Sequence, residues 1–293
     1  MRGIRKRIPL GMDHHKEAQD EKYLPTGHDI DKMEIVKRRQ EYITKEVGTL
    51  GGGNHFIELQ KDETGTLWIM IHSGSRNLGK LVGDYYNEKA KKLNERWYSV
   101  VSPDIRLSFL PLRTDEFNAY WQEMKYCVDF ALCNRKLMMK RIEEVIKDAI
   151  PEIGFEPMIN IAHNYATWER HYGQDVIVHR KGATLAREGV IGIIPGSQGT
   201  ASYIVEGLGN PESFCSCSHG AGRTLSRTAA IRDLNLKEEV ERLDALGIIH
   251  AIRNQNDMQE ASGAYKDIET VIANEADLVK VKTRLLPVAV IKG

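Results

Sequence analysis

Four of the ten histidines stand in company that suits chemistry. His55 follows Gly51-Gly52-Gly53-Asn54, His72 opens His-Ser-Gly-Ser-Arg, His163 opens His-Asn-Tyr, and His219 sits in Ser-His-Gly-Ala-Gly-Arg. Glycine neighbours let backbone approach a ligand closely, and loop positions at the ends of regular elements are where binding residues collect. A neutral imidazole serves as a nucleophile or as a ligand for zinc, manganese, iron or nickel. Taken singly, each of the four is better read as a packed structural histidine; four such segments in one chain argue for a site. There is no His-Glu-x-x-His, no paired Cys-x-x-Cys and no Asp-rich calcium loop, so a metal site has to be assembled from distant parts of the chain. His14, His15 and His28 lie in a polar stretch and read as solvated. His171, His179 and His250 lack the glycine context and read as structural.

The glycine-rich loops suggest a phosphate-bearing ligand. Gly48–Gly53 is neither a P-loop nor a dinucleotide fingerprint. Pro195-Gly196-Ser197-Gln198-Gly199-Thr200 offers free N–H groups and hydroxyls, and His219-Gly220-Ala221-Gly222 precedes a predicted helix whose N-terminus favours an anion. Arg76, Arg180, Lys181, Arg187, Arg223 and Arg227 lie in or near these loops. Taken alone, each loop is equally well explained by glycines making turns. Gly196-Ser197-Gln198-Gly199 has the wrong spacing for a hydrolase nucleophile, and Cys215-x-Cys217 reads as a packed pair beside the His219 loop.

Elements that could position these residues can be read from periodicity. Apolar residues at helical spacing predict helices over Leu78–Trp97 and Thr114–Ala149, the second with Thr114 as N-cap, an acidic first turn and Pro151 as terminator. Shorter helices are expected over Asp31–Glu46, Thr224–Leu234, Leu236–Leu246 and Asp267–Asn274. Strands are expected at Thr66–Ile71, Met158–Ala162, Asp175–His179, Val190–Ile194, Ser202–Glu206 and Leu285–Ile291. His72 and His163 would then each follow a strand. The segment before Asp31 reads as loop. With 293 residues, no internal repeat and no linker, one α+β domain is favoured over two. Lys plus Arg and Asp plus Glu both number 41, which excludes a globally basic coat but not a local basic groove. Four cysteines are too few for a disulfide scaffold, and no apolar run approaches a membrane span. The N-terminus lacks the apolar core of a secretory signal, so a cytoplasmic location is expected.

In order along the chain, GGGNHFIEL, HSGSRNLG, HNYA, HRKGAT, IPGSQGTASYIVEGLGN, ESFCSCSHGAGRTLSR, AYKDIETVI and the terminal IKG resemble the RtcB family of RNA ligases from about Ile8 onward. The resemblance implies a single α+β domain over residues 1–293, with a mixed-sheet core and peripheral helices. It implies GTP- and manganese-dependent joining of RNA 3′-phosphate or 2′,3′-cyclic phosphate ends to 5′-hydroxyl ends, as in RNA repair and tRNA splicing. His219 would be the guanylylated nucleophile. His55, His72 and His163 would bind manganese, two ions in the family. GTP would contact Asn54, His55, Phe56, Ile57, Glu58, His163, Asn164, Pro195, Gly196, Ser197, Gln198, Ser202, His219, Gly220, Ala221, Gly222 and Lys292. Arg76 and Arg187 would contact RNA, and an accessory activator protein is a further implied partner. The family carries an Asp-x-x-Cys-Gly motif ahead of these segments whose aspartate and cysteine complete the two-metal site. Nothing before His55 matches it, and the first cysteine is Cys127. The chain therefore reads as truncated at its N-terminus, and two alternatives stay open: an inactive GTP- or RNA-binding remnant, or a metal-dependent cyclic phosphodiesterase.

Overall fold

The computed structural model describes residues 1–99, 101–102 and 107–293. Helices α1 (Arg2–Arg7), α2 (Glu34–Arg38) and α3 (Gln40–Glu46) precede the hairpin of β1 (Phe56–Lys61) and β2 (Leu67–His72). Helices α4 (Leu78–Arg96) and α5 (Asp115–Ala149) follow. Then come β3 (Asn164–His171), β4 (Gln174–Lys181), β5 (Ala183–Leu185), β6 (Ile191–Ile194), β7 (Ser202–Gly207) and β8 (Ser216–Ser218). Helices α6 (Arg227–Asp233), α7 (Leu236–Ala245) and α8 (Ile268–Ala273) lead into β9 (Val279–Lys292).

The class is α+β. The main sheet runs β2-β1-β9-β7-β6, with two-stranded pairs β3-β4 and β5-β8 beside it. A mixed sheet was the expectation, but every strand pairing is antiparallel, and parallel pairing among the described residues is confined to the isolated bridge Ile249–Ala289. The register fixes where the site forms: Phe56 lies opposite His72 on one side and opposite Lys292 on the other. Three strands thus deliver candidate residues to one end of the sheet.

Helix α5 buttresses that end. Thr114 Oγ1 accepts the Phe117 N–H at 3.2 Å, which caps the first turn. At 35 residues and 1.5 Å per residue it is about 52 Å long. Tyr126, Cys127, Phe130 and Leu137 pack into a core shared with α2, α3 and α4; Met138 and Ile142 pack into another with Ile4, Ile8, Leu50, Ile57 and Ile291. Its buried Glu123 accepts the N–H groups of Glu34, Ile35 and Val36 at 2.9–3.0 Å and so caps α2.

Several expectations are corrected. Met158–Ala162 is not a strand, because its polar groups bond Arg135 of α5 instead of a neighbouring strand; Ile161 O accepts Arg135 Nη2 at 2.9 Å. His163 therefore precedes a strand. The first thirty residues include α1, whose Ile4 is in the core. The helix expected over Asp31–Glu46 is broken at Arg39. His28 is not solvated: its Nε2 pairs with Asp129 at 2.8 Å and its ring packs edge-on against Tyr126. His15 buries its Nε2 beside Gly48.

Candidate active site

The four histidines form a continuous row. Ring centroids are 5.6 Å apart for His55–His72, 5.3 Å for His72–His163 and 4.9 Å for His163–His219. His55 Nδ1 lies 2.9 Å from Leu50 O; donation there leaves Nε2 with a free lone pair. His163 Nδ1 is buried with no hydrogen-bond partner. Backbone shape is tuned to the rings at two glycines. At Gly51 (φ +88°) a Cβ would lie 2.5 Å from both His55 Nδ1 and Arg76 Nη1, and at Gly182 (φ +68°) it would press on His219 Cε1 at 3.1 Å.

Electrostatics keep the row neutral. Burial holds His55 and His163 down at about 4, helped for His55 by the Arg76 and Lys292 cations and for His163 by His219 and Arg135. Burial, then the neighbouring imidazoles, hold His72 well below its ordinary value. His219 is lowered by burial and, to a smaller degree, by Lys181, against a hydrogen bond with the Gly182 backbone. Neutral rings with exposed lone pairs suit metal ligation or nucleophilic attack, and the orphaned His163 Nδ1 fits a nitrogen-ligated ion. Among the described residues, however, no three His, Cys, Asp or Glu side chains already stand together as a finished ion-binding set.

Two adjacent residues of α5 hold the row in place. Asn134 accepts the Gly48 and Thr49 N–H groups at 2.7 and 3.0 Å and donates to Thr49 O, Ser73 Oγ and Gly74 O. Arg135 donates to Ser73 O at 2.8 Å, Asn160 Oδ1 at 2.8 Å and Ile161 O at 2.9 Å. The segment after His72 is thereby tied to the segment before His163. No carboxylate pairs with Arg135 among the described residues, and burial lowers its pKa to about 10.

A cavity of about 290 Å³ opens beside the row. Asn54, Phe56, Glu58, His72, Pro195, Gly196, Ser197, Gln198, Ser202, His219, Gly220, Ala221, Gly222 and Lys292 line it, most of the residues singled out in the sequence. Burial pushes the Glu58 carboxyl up to about 8, against the hydrogen bond from Gln60 and the Lys292 charge. Gln60 Nε2 bridges Glu58 at 2.5 Å and Ser202 Oγ at 3.0 Å. The larger open hollow beside α7, about 880 Å³, holds none of these residues.

Other expected contacts are not on the cavity wall. Strand alternation turns Phe56 and Glu58 toward the cavity but Ile57 into the core, where it is fully buried. Asn164 is exposed at the start of β3. His55 and His163 belong to the histidine row and are not among the lining residues. Arg76 donates to Gly11 O at 2.9 Å and Asp13 O at 3.3 Å, so it secures the N-terminal segment. Arg187 lies 3.4 Å from Glu169 and does not line the cavity. Sequence reasoning missed Glu260, Tyr265 and Val290. Buried Glu260 gathers Arg223 at 3.3 Å, Arg227 at 3.0 Å and the Tyr265 hydroxyl on the wall. Val290 shares a face of β9 with Lys292, which period-two alternation could have shown; Glu260 lies in a stretch with no such pattern.

Side chains from four strands of the sheet, β1, β2, β7 and β9, and from two glycine loops thus meet at one cavity. The family model described as tRNA-splicing ligase RtcB matches residues 6–293, and the chain belongs to the RtcB family. It is 40% identical over 255 residues to the RNA-splicing ligase RtcB of Escherichia coli K12, an alignment covering 85% of this chain and 62% of that protein. It is 35% identical over 291 residues to the tRNA-splicing ligase RtcB of Nanoarchaeum equitans, covering 85% and 60%, and 33% identical over 304 residues to the RNA-splicing ligase RtcB of Mycobacterium bovis, covering 92% and 69%. The chain thus spans about 62% of the length of the Escherichia coli relative. No helix among the described residues is long and apolar enough to cross a membrane.

Proposed function

We propose that this chain carries the catalytic centre of a GTP- and manganese-dependent RNA ligase that joins 3′-phosphate or 2′,3′-cyclic phosphate ends to 5′-hydroxyl ends, in the cytoplasm. The observation that carries the reading is the coincidence of the histidine row with the cavity lined by Glu58, Ser202, His219 and Lys292.

His55, His72 and His163 would hold manganese, which supplies Lewis acidity toward phosphoryl oxygens when bound. His219, kept neutral by burial, would attack the α-phosphorus of GTP through a ring nitrogen, expelling pyrophosphate and forming a phosphoramidate. Lys292 and Arg227 face the cavity and offset phosphate charge. Glu260 fixes Arg223 and Arg227 in place. The Glu58–Gln60–Ser202 chain offers hydrogen-bond groups to the nucleotide base.

Incubation with α-labelled GTP and manganese, followed by peptide mapping, tests this. Label on His219 is expected. Label on another residue, or ligation without any label, overturns the assignment.

A further inference from the structure

The hairpin β3–β4 leaves the histidine row and runs outward. Gly182, just after β4, donates to His163 O at 3.0 Å, and Asn164 pairs with Lys181 across the strands. One face of the hairpin is buried through Glu169, His171 and Arg180; the other exposes Trp168, His179 and Lys181. Trp168 is 47% exposed and lies four residues beyond Asn164, roughly 13 Å along the strand. At the hairpin tip Tyr172 is 68% exposed, and Phe214 stands beside it, 41% exposed, with ring centroids 5.9 Å apart. None of these three rings belongs to any hydrophobic core cluster of the described residues.

The backbone shows that the rings are displayed at a cost. Tyr172 (φ +51°) and Gly173 (φ +77°) are the two central residues of the turn, and such turns favour Asn, Asp or Gly at the first of them. A bulky residue with positive φ is a strained choice. Phe214 (φ +53°) and the adjacent Cys215 (φ +49°) repeat it on the facing loop. Strained backbone that presents unburied aromatics points to a ligand for those aromatics. Charge narrows the ligand. Arg170 is neutralised by Asp175 across the strands, but Lys181 has no ion pair among the described residues and Arg187 is half-exposed above Glu169. Glu188 and Glu212 are exposed in the flanking loops and Arg187 sits over the inner face, so the unpaired cation of the outer face is Lys181, opposite Asn164 at the end nearest the histidine row. Exposed aromatic rings preceded by a cation are the elements that bind single-stranded nucleic acid, the bases stacking and the cations meeting phosphates.

We propose that the outer face and tip of the β3–β4 hairpin form a track for the single-stranded RNA that leads away from the end held at His219, with Phe214 packed against His171 of the inner face and supporting Tyr172 from that side. Lys181 meets the phosphate nearest the reaction, and Trp168, then Tyr172 at the tip, stack successive bases. The track rests on the ligase reading, but its test does not need turnover.

Fluorescence anisotropy with a labelled hexanucleotide ending in a 3′-phosphate reads the track directly. Trp168→Ala and Tyr172→Ala should each weaken binding by about tenfold. Trp168→Phe should restore most of it, a dinucleotide should bind all variants alike, and the GMP label on His219 should be unchanged. Full-chain thermal melts identify any variant that fails to fold; Trp168→Leu and Tyr172→Leu, which keep apolar bulk but remove the stacking ring, then carry the comparison. If wild type binds the hexanucleotide and the alanine variants match it, the track is wrong and the ligase reading stands. If wild type binds neither the hexanucleotide nor the GMP label, the ligase reading falls and takes the track with it.

Discussion

Two corners of the molecule bury ionisable groups in opposite ways. In the histidine row four partly buried imidazoles have no carboxylate paired with them among the described residues, and burial lowers the pKa of each and favours its neutral form. On the inner face of β3–β4, Glu169 and Arg180 are enclosed against each other, with side-chain exposures of 2% and 1%. His171 bonds Glu169 at 2.9 Å, and Arg180 also donates to Ser216 Oγ at 3.0 Å and Phe214 O at 2.9 Å. Burial alone would raise the Glu169 carboxyl, but Arg180 and His171 outweigh it and hold the group down at about 2. Burial without a partner leaves lone pairs free for a ligand or a bond-forming step. Burial with a partner consumes them. The first arrangement is chemistry held ready; the second is scaffolding.

The sharpest break of this contrast is His219→Asn, which should abolish the GMP adduct completely in a labelling assay while leaving thermal stability near wild type. Next comes Arg180→Met. It strands Glu169 in the interior and should cost about 3–5 kcal/mol of unfolding free energy in urea titration. A loss below about 1 kcal/mol would show that the pair is not scaffolding. Arg135→Met should weaken manganese binding by about 10–100-fold in calorimetry, because the His72 and His163 segments lose their common brace. Unchanged affinity would mean that the rings are held by other contacts.

The smallest effect is a pH dependence. Glu169 has a depressed pKa, so its contribution to stability is fully present above its ordinary value of 4.5 and is lost as pH falls toward about 2. The stability gap between wild type and Glu169→Gln should therefore be flat at neutral pH and narrow below about 4.5. A gap that widens on acidification would contradict the sign of the shift.

What the sequence disclosed depended on how local the signal was. Glycine context singled out His55, His72, His163 and His219, and the structure places their rings in one row. Helix α5 was legible from spacing and from its Thr114 cap. That the Ile57 side chain points into the core was not legible, because β1 was not recognised as a strand and without the strand its alternation was invisible. Arg76 looked free for RNA because its acceptors, Gly11 O and Asp13 O, are backbone atoms more than sixty residues away. Met158–Ala162 has the composition of a strand, but its partner is one arginine of a helix. Glu260 gave no signal because its role exists only once Arg223, Arg227 and Tyr265 surround it.

The double pairing of Phe56 also orders events in time. Sixteen residues separate it from His72, and 236 from Lys292. Closing the longer loop costs about 2 kcal/mol more conformational entropy. The β1–β2 hairpin is therefore expected to form first and β9 to dock later, against an edge of β1 left open until then. During that interval the Phe56–Lys61 edge can pair with another chain as readily as with its own β9. Refolding yield should consequently fall as protein concentration rises, even though the finished sheet covers that edge.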